Sequence, residues 1–265
     1  MPAPQTYGWD MVIAVRTGVL NRRFTAAGGA FSASISHANG SVAVEGSLGA
    51  WQIATGGSGA LLKFAIPCAR LKLTQASKSV AFSDGSFLVE AQLAFAEPAS
   101  AGGARPLRIV PGKDAVSAQA AEFDDPAFPG FAAMAVAGLQ QWLDVQAAFP
   151  YIFGTFAGAP TGGAEPVGDL VPPAASYAYA DAADGNGGVL AVLCGAEPGA
   201  GSPHLLQEVD PAALGGGDAV ALVGEAVLAR VLALGLSQAT LPGGQTLSAT
   251  VAAALSVPLT LKGGA

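Results

Sequence analysis

The sequence predicts an α+β fold: a strongly curved antiparallel β-sheet wrapped around a long amphipathic helix, with a second helix near the C-terminus. Three observations predict it. Residues 8–113 hold a run of short alternating segments separated by turn residues, a β-meander pattern. A helical stripe follows in which Phe131, Met134, Ala135, Gly138, Leu139, Trp142 and Val145 recur at three- and four-residue steps. Strands then return after Pro150, and Val227, Leu228, Val231 and Leu232 sit at helical spacing in Val223–Leu236. Strands run first and helices come late, unlike the strict alternation of a βαβ protein. All 265 residues are read as one domain: meander 8–113, central helix 126–149, and a second β/α part 150–262.

Taken in order, Trp9, Met11, Ile13 and Val15 alternate with Asp10, Val12, Ala14 and Arg16, which is strand periodicity. Thr17 can cap a short helix carrying Val19, Leu20 and Phe24 and stopped by Gly28-Gly29; a continuous helix from Asp10 is the alternative. Phe31–His37 and Ser41–Val44 flank Asn39-Gly40, whose residues accept positive φ, so they form a hairpin. Trp51–Thr55 and Leu61–Ile66 flank a glycine-rich turn, and Arg70–Thr74, Phe87–Phe95 and Leu107–Val110 follow as strands. Asp124 and Asp125 cap the central helix and Pro150 ends it. Tyr151–Phe156 is a strand, Ala175–Ala180 and Val189–Leu193 a hairpin, and Thr246–Leu261 a terminal strand.

Composition excludes several classes. Half the residues are hydrophobic and 12% are charged, but much of the apolar content is Ala, which buries little area. No run of about 18 apolar residues is present, so a membrane span is not expected. The opening MPAPQTYGWD lacks a basic segment followed by an apolar stretch, which points to a cytoplasmic location, with non-classical export left open. Cys68 and Cys194 are too few for a disulfide framework; whether they pair is open. Net charge is −7, with residues 1–113 at +5 and 114–265 at −12, so nucleic acid is not expected as a partner, while the first half either faces an anionic surface or acidic partner or is a solvated surface of uneven charge.

Chemistry-bearing patterns are sparse. His37 and His204 share no ligand spacing with cysteines or carboxylates, so no metal or other cofactor is expected. No GxSxG elbow and no GxxxxGK[ST] loop occurs, and helix capping accounts for the Asp124-Asp125 pair. The chain is therefore expected not to be an enzyme, with a hydrolase built on one of its many serines as the rival. What remains is apolar surface between sheet and helix: Trp51, Ile53, Phe64, Ile66, Leu93, Phe95, Met134, Leu139, Trp142 and Phe153 either fill a core or line a groove for an elongated apolar ligand. Lys63, Arg70, Lys72 and Lys78 either meet an anionic head group or form a solubilising strand edge.

Tyr7-Gly8-Trp9-Asp10, with Val12, Ala14, Val19 and Asn21 after it, resembles the opening of the OrfX-type proteins encoded beside clostridial neurotoxin genes. Further segments are similar in the same order: Phe149-Pro150-Tyr151-Ile152-Phe153, Ser176-Tyr177-Ala178-Tyr179, Val209-Asp210-Pro211 and Gly224–Leu236. The resemblance implies a tubular lipid-binding (TULIP-like) fold in which the wrapped helix is Phe131–Ala148, and it carries no catalytic residue. It implies a lipid or hydrophobic small molecule as ligand, phosphoinositides among them, and peripheral contact with an anionic membrane. A protein partner in a multi-component toxin-like complex, with a filled core and no ligand, is the alternative it leaves open.

Overall fold

The computed structural model describes residues 5–27, 33–39, 42–97, 104–109, 116–123, 129–145, 152–156, 174–182, 185, 187–195, 206–224, 227 and 255–259. The chain forms two compact units: Met1–Arg16 with Phe95–Leu107 and Gly154–Ala265, and Thr17–Ala94 with Arg108–Phe153. The structure is α+β and its strands pair antiparallel throughout the described ladders.

The first unit holds a five-stranded sheet in the order β11-β12-β1-β13-β14, from β1 (Met11–Arg16), β11 (Ala174–Asp181), β12 (Gly188–Gly195), β13 (Ala219–Val223) and β14 (Leu255–Leu259). On one face Val12, Ala14, Ala178, Ala191, Leu193, Val220 and Leu222 pack against Val209 and Leu214. Those two come from the segment around a 3-10 turn, Pro211–Leu214, which Asp210 caps by accepting from the Ala212 N–H at 2.9 Å. The opening motif builds this unit. Tyr7 (φ +52°) and Gly8 (φ +88°) make a tight turn closed by the Trp9 N–H on the Thr6 carbonyl. The Trp9 indole then donates to the Leu206 carbonyl at 2.8 Å. Arg16 donates to the carbonyls of Gly217 and Gly215, both at 2.9 Å, and so fixes the turn before β13.

The second unit is built on β5 (Leu61–Gln75), a 15-residue strand. Along Leu61–Cys68 it pairs β7 (Gly85–Phe95) and, on the other edge, β4 (Gln52–Ser58). Along Cys68–Gln75 it pairs β3 (Val42–Leu48) and β6 (Lys78–Phe82). With β2 (Ala33–Asn39), β8 (Arg105–Ile109), β9 (Val116–Phe123) and β10 (Ile152–Phe156) the sheet counts nine strands, order β10-β8-β7-β5-β3-β2, with β4 and β6 on β5 and β9 on β7. Helix α1 (Thr17–Ala26) follows β1 without a turn residue and contacts β4; Thr17, Val19 and Phe24 are buried.

Helix α2 (Pro129–Asp144) contacts β2, β3, β5 and β9. Ala135, Gly138, Leu139, Trp142 and Leu143 are its buried positions, and Gly138 meets Val44 so closely that a Cβ there would collide with it. It differs from the expected 126–149 helix in two ways. It spans 16 residues and stops at Asp144, leaving Val145 67% exposed instead of on the buried stripe. Its exposed positions include Ala133 and Ala137, so the polar side of an amphipathic helix is weakly developed. Asp124, Asp125 and Pro150 lie outside the described residues, as does the second helix except Val227. Other differences are local: β6, β9 and β13 are strands with no counterpart in the sequence reading, and Leu61–Ile66 and Arg70–Thr74 are one strand.

Candidate functional site

The union of those two segments makes the candidate site. Along β5 the buried residues are Leu62, Phe64, Ile66 and Cys68, then Leu71 and Leu73. The alternation slips by one residue between Cys68 and Leu71. The β3–β5 register explains it: Ser47 faces Arg70 and Leu48 faces Cys68, leaving Ala69 as the extra residue of a β-bulge. If Ala69 were accommodated without a bulge, a strict period of two continuing from Cys68 would send Arg70 and Lys72 inward and Leu71 and Leu73 outward. The bulge therefore keeps two leucines in the core and re-aims two cations at the outer face.

Gly46 permits the close crossing at this point. A Cβ on it would lie 2.5 Å from the Arg70 carbonyl oxygen and 3.0 Å from the Leu71 side chain. Over this stretch β2, β3, β5 and β6 form an open groove of about 710 Å³. Its rows follow the register. Ser36, Glu45, Lys72 and Ala81 stand opposite one another across four strands, and Ser47 stands opposite Arg70 in the next row. Ile35, Leu71 and Phe82, all buried, and Ser83 complete its lining. Among the described residues no ion pair engages Arg70 or Lys72. The groove thus offers two cations, one carboxylate and several hydroxyls on a rigid sheet, a donor-rich surface for an anionic group.

The four predicted basic residues separate. Arg70 and Lys72 line the groove. Lys63 instead pairs with Glu90 at 3.4 Å, and Glu90 also accepts from Gln119 at 3.1 Å. Lys78 is exposed at the start of β6, opposite Gln75. None of the ten apolar candidates lines the groove. Trp51, Ile53, Phe64, Ile66, Leu93, Leu139, Trp142 and Phe153 are buried, and Met134 and Phe95 are half-buried. In the second unit the rings form a chain: Trp51 to Phe64 at 5.6 Å, Phe64 to Phe153 at 5.1 Å, and Phe153 to Phe24 at 5.4 Å. Phe95 belongs to the first unit, where the Arg105 guanidinium lies 6.0 Å from its ring centre. Glu45, Gly46 and the three serines were not singled out from the sequence; the two alternations of β5, one residue out of phase, were the signal available.

Titration and ligation patterns add little chemistry. Cys68 and Cys194 are free and buried. Burial first, then the nearby Asp10, pushes the Cys194 thiol up to about 12. Burial and the 2.6 Å hydrogen bond to Asp181 likewise push the Tyr179 phenol up. Such groups stay protonated and unreactive near neutrality. No metal-holding cluster occurs among the described residues; the His37 side chain and His204 lie outside them. No described helix is long and apolar enough to cross a membrane.

A curled antiparallel sheet with helix α2 on it, a second antiparallel sheet, and an open cationic groove define the chain as an α+β protein built around sheets. The sequence pattern of the OrfX-like family, described as Protein OrfX2/OrfX3/P47, matches residues 6–254, and the chain belongs to that family. Solved structures agree on the fold. P47 from Clostridium botulinum A2 aligns with TM-score 0.65 and 20% identity over 84% of this chain and 52% of its own. P47 of Clostridium botulinum E1 aligns with TM-score 0.64 and 19% identity over 84% and 53%. The chain thus spans about half the length of those P47 structures. A lipopolysaccharide binding protein aligns at TM-score 0.22 and 12% identity, too low for a shared fold to be argued. Curated proteins gave no match.

Proposed function

We propose that this OrfX-like chain is a non-enzymatic binding protein that takes an anionic lipid by its head group, in the groove that holds Arg70 and Lys72. The observation carrying this reading is the β5 bulge, which turns both cations onto one face beside Ser36, Ser47 and Glu45. Arg70→Gln with Lys72→Gln tests it by flotation with phosphatidylcholine vesicles, with and without phosphatidylserine. Each basic side chain near an anionic surface contributes about 1 kcal/mol, so the pair should weaken binding roughly thirtyfold. Unchanged binding, or equal binding to neutral vesicles, overturns the reading.

A second reading, an interaction subunit of a multi-component complex, is favoured by a different observation: eight of the ten apolar candidates are buried. Mass spectrometry of organic extracts from the purified protein separates the two. A co-purifying lipid supports the first; lipid-free protein that ignores anionic vesicles supports the second.

A further inference from the structure

Three side-chain amides lie against the outer edges of strands. Asn21, on α1, donates through Nδ2 to the Ile53 carbonyl at 2.9 Å and accepts through Oδ1 from the Ile53 N–H at 2.7 Å. Ile53 is in β4, and the Phe64 opposite it belongs to β5, so both groups of Ile53 point away from the sheet. Exchanging both bonds with one residue is what an antiparallel partner strand does. Gln140, on α2, accepts from the Ala118 N–H at 2.7 Å and donates to the Val116 carbonyl at 3.0 Å. Those two groups flank Ser117 on β9, and bridging a carbonyl and the N–H two residues later is the pattern of a parallel partner. Asp144, one turn further along α2, accepts from the same Nε2 at 2.8 Å and fixes the amide's orientation. In the first unit Gln207 donates to the Tyr177 carbonyl at 2.9 Å on β11, the edge strand of its sheet, and to Ser176 Oγ at 3.3 Å.

We infer that Asn21, Gln140 and Gln207 close these edges: Asn21 and Gln140 each hold a backbone N–H and a carbonyl, and Gln207 a carbonyl, that a strand from a second copy of the chain would need. An unpaired edge is a template for such pairing. This chain carries few of the usual blocks there. Ile53 and Ala118 are flanked by Gln52, Ala54, Ser117 and Gln119, none of them charged. Primary amides suit the task because each carries a donor and an acceptor in one plane, like the peptide group they replace. Helices α1 and α2 thereby do at β4 and β9 what a tenth and eleventh strand would do.

Asn21→Leu and Gln140→Leu test this in the full chain, with Asn21→Asp and Gln140→Glu as partners that keep the acceptor and lose the donor. Amide exchange read residue by residue should quicken at least tenfold at Ile53 or Ala118 in the leucine variants, and less in the acidic ones. Sedimentation over a range of protein concentrations should show self-association beyond the parent's in the leucine variants. Folded leucine variants that sediment like the parent overturn the inference. Where a leucine variant does not fold, the acidic variant decides: stronger self-association than the parent supports the inference, and parental sedimentation overturns it.

Discussion

The two units use opposite kinds of sheet. In the second, β7 and the Leu61–Cys68 stretch of β5 alternate, with Leu62, Phe64, Ile66, Phe87, Val89, Ala91 and Leu93 buried and their neighbours more exposed. In the first, β12 is buried at seven of its eight positions, so both of its faces are covered. The cores differ in the same sense: Trp, Phe, Leu and Ile against a cluster rich in Ala and Val. Charge separates them too. The second unit carries eight basic and eight acidic residues, the first four and eleven. A sheet with one wet face can display side chains to a ligand, and a sheet covered on both faces cannot. The groove therefore falls on the unit whose sheet has a free face and whose basic residues are not outnumbered.

The sharpest way to break this contrast is in the cores. Phe64→Ala removes a fully buried ring touching both Trp51 and Phe153, and should cost about 3–5 kcal/mol in chemical denaturation. In the first unit the equivalent injury is overfilling: Ala191→Leu should cost about 1–3 kcal/mol. Equal losses from Phe64→Ala and a matching Ala191→Gly would show that the two cores do not differ in kind. Alkaline pH sharpens the comparison. Cys194 ionises near 9 when unfolded and near 12 when folded, so the native state holds its proton longer. Stability should be intact below about 9 and fall between about 9 and about 12, by no more than about 1.4 kcal/mol per pH unit from this group. Cys194→Ala should flatten that decline; a slope identical to the parent's would show that this thiol does not govern it. The smallest effect belongs to Lys63→Gln. Its ion pair with Glu90 is about a quarter exposed on each side, so a loss under about 1 kcal/mol is expected, with vesicle binding unmoved. A binding loss as large as that of the Arg70/Lys72 pair would extend the site to Lys63.

Most of the strands were legible because turn residues punctuate them: Asn39-Gly40 and Asp184–Gly188 mark where paired strands end and begin, whereas Gly56–Ser58 of the expected Gly56-Gly57-Ser58-Gly59 turn belong to β4. β9 was not, because VSAQAAEF is mostly small or polar and gains its place from β7 and Gln140. β13, AVALV, ran into an apolar stretch that has helical spacing further on, and only pairing with β1 fixes it as a strand. The central helix was overextended because Val145 continues the apolar period although the helix ends one residue before it. At the candidate site Arg70 and Lys72 were visible as cations, but their partners were not. Glu45 and Ser36 join them only through cross-strand register, which no local pattern encodes. Apolarity likewise marked Trp51, Phe64 and Leu139 without distinguishing a lined cavity from a filled one, since both demand the same side chains.

The tight bend at Tyr7-Gly8 and the indole bond of Trp9 to Leu206 give the opening motif a mechanical duty in the first unit, remote in sequence from the groove. Kinship recognised through those letters is kinship of chassis. Those letters say nothing of the groove, whose character rests on the residues at positions 45, 70 and 72.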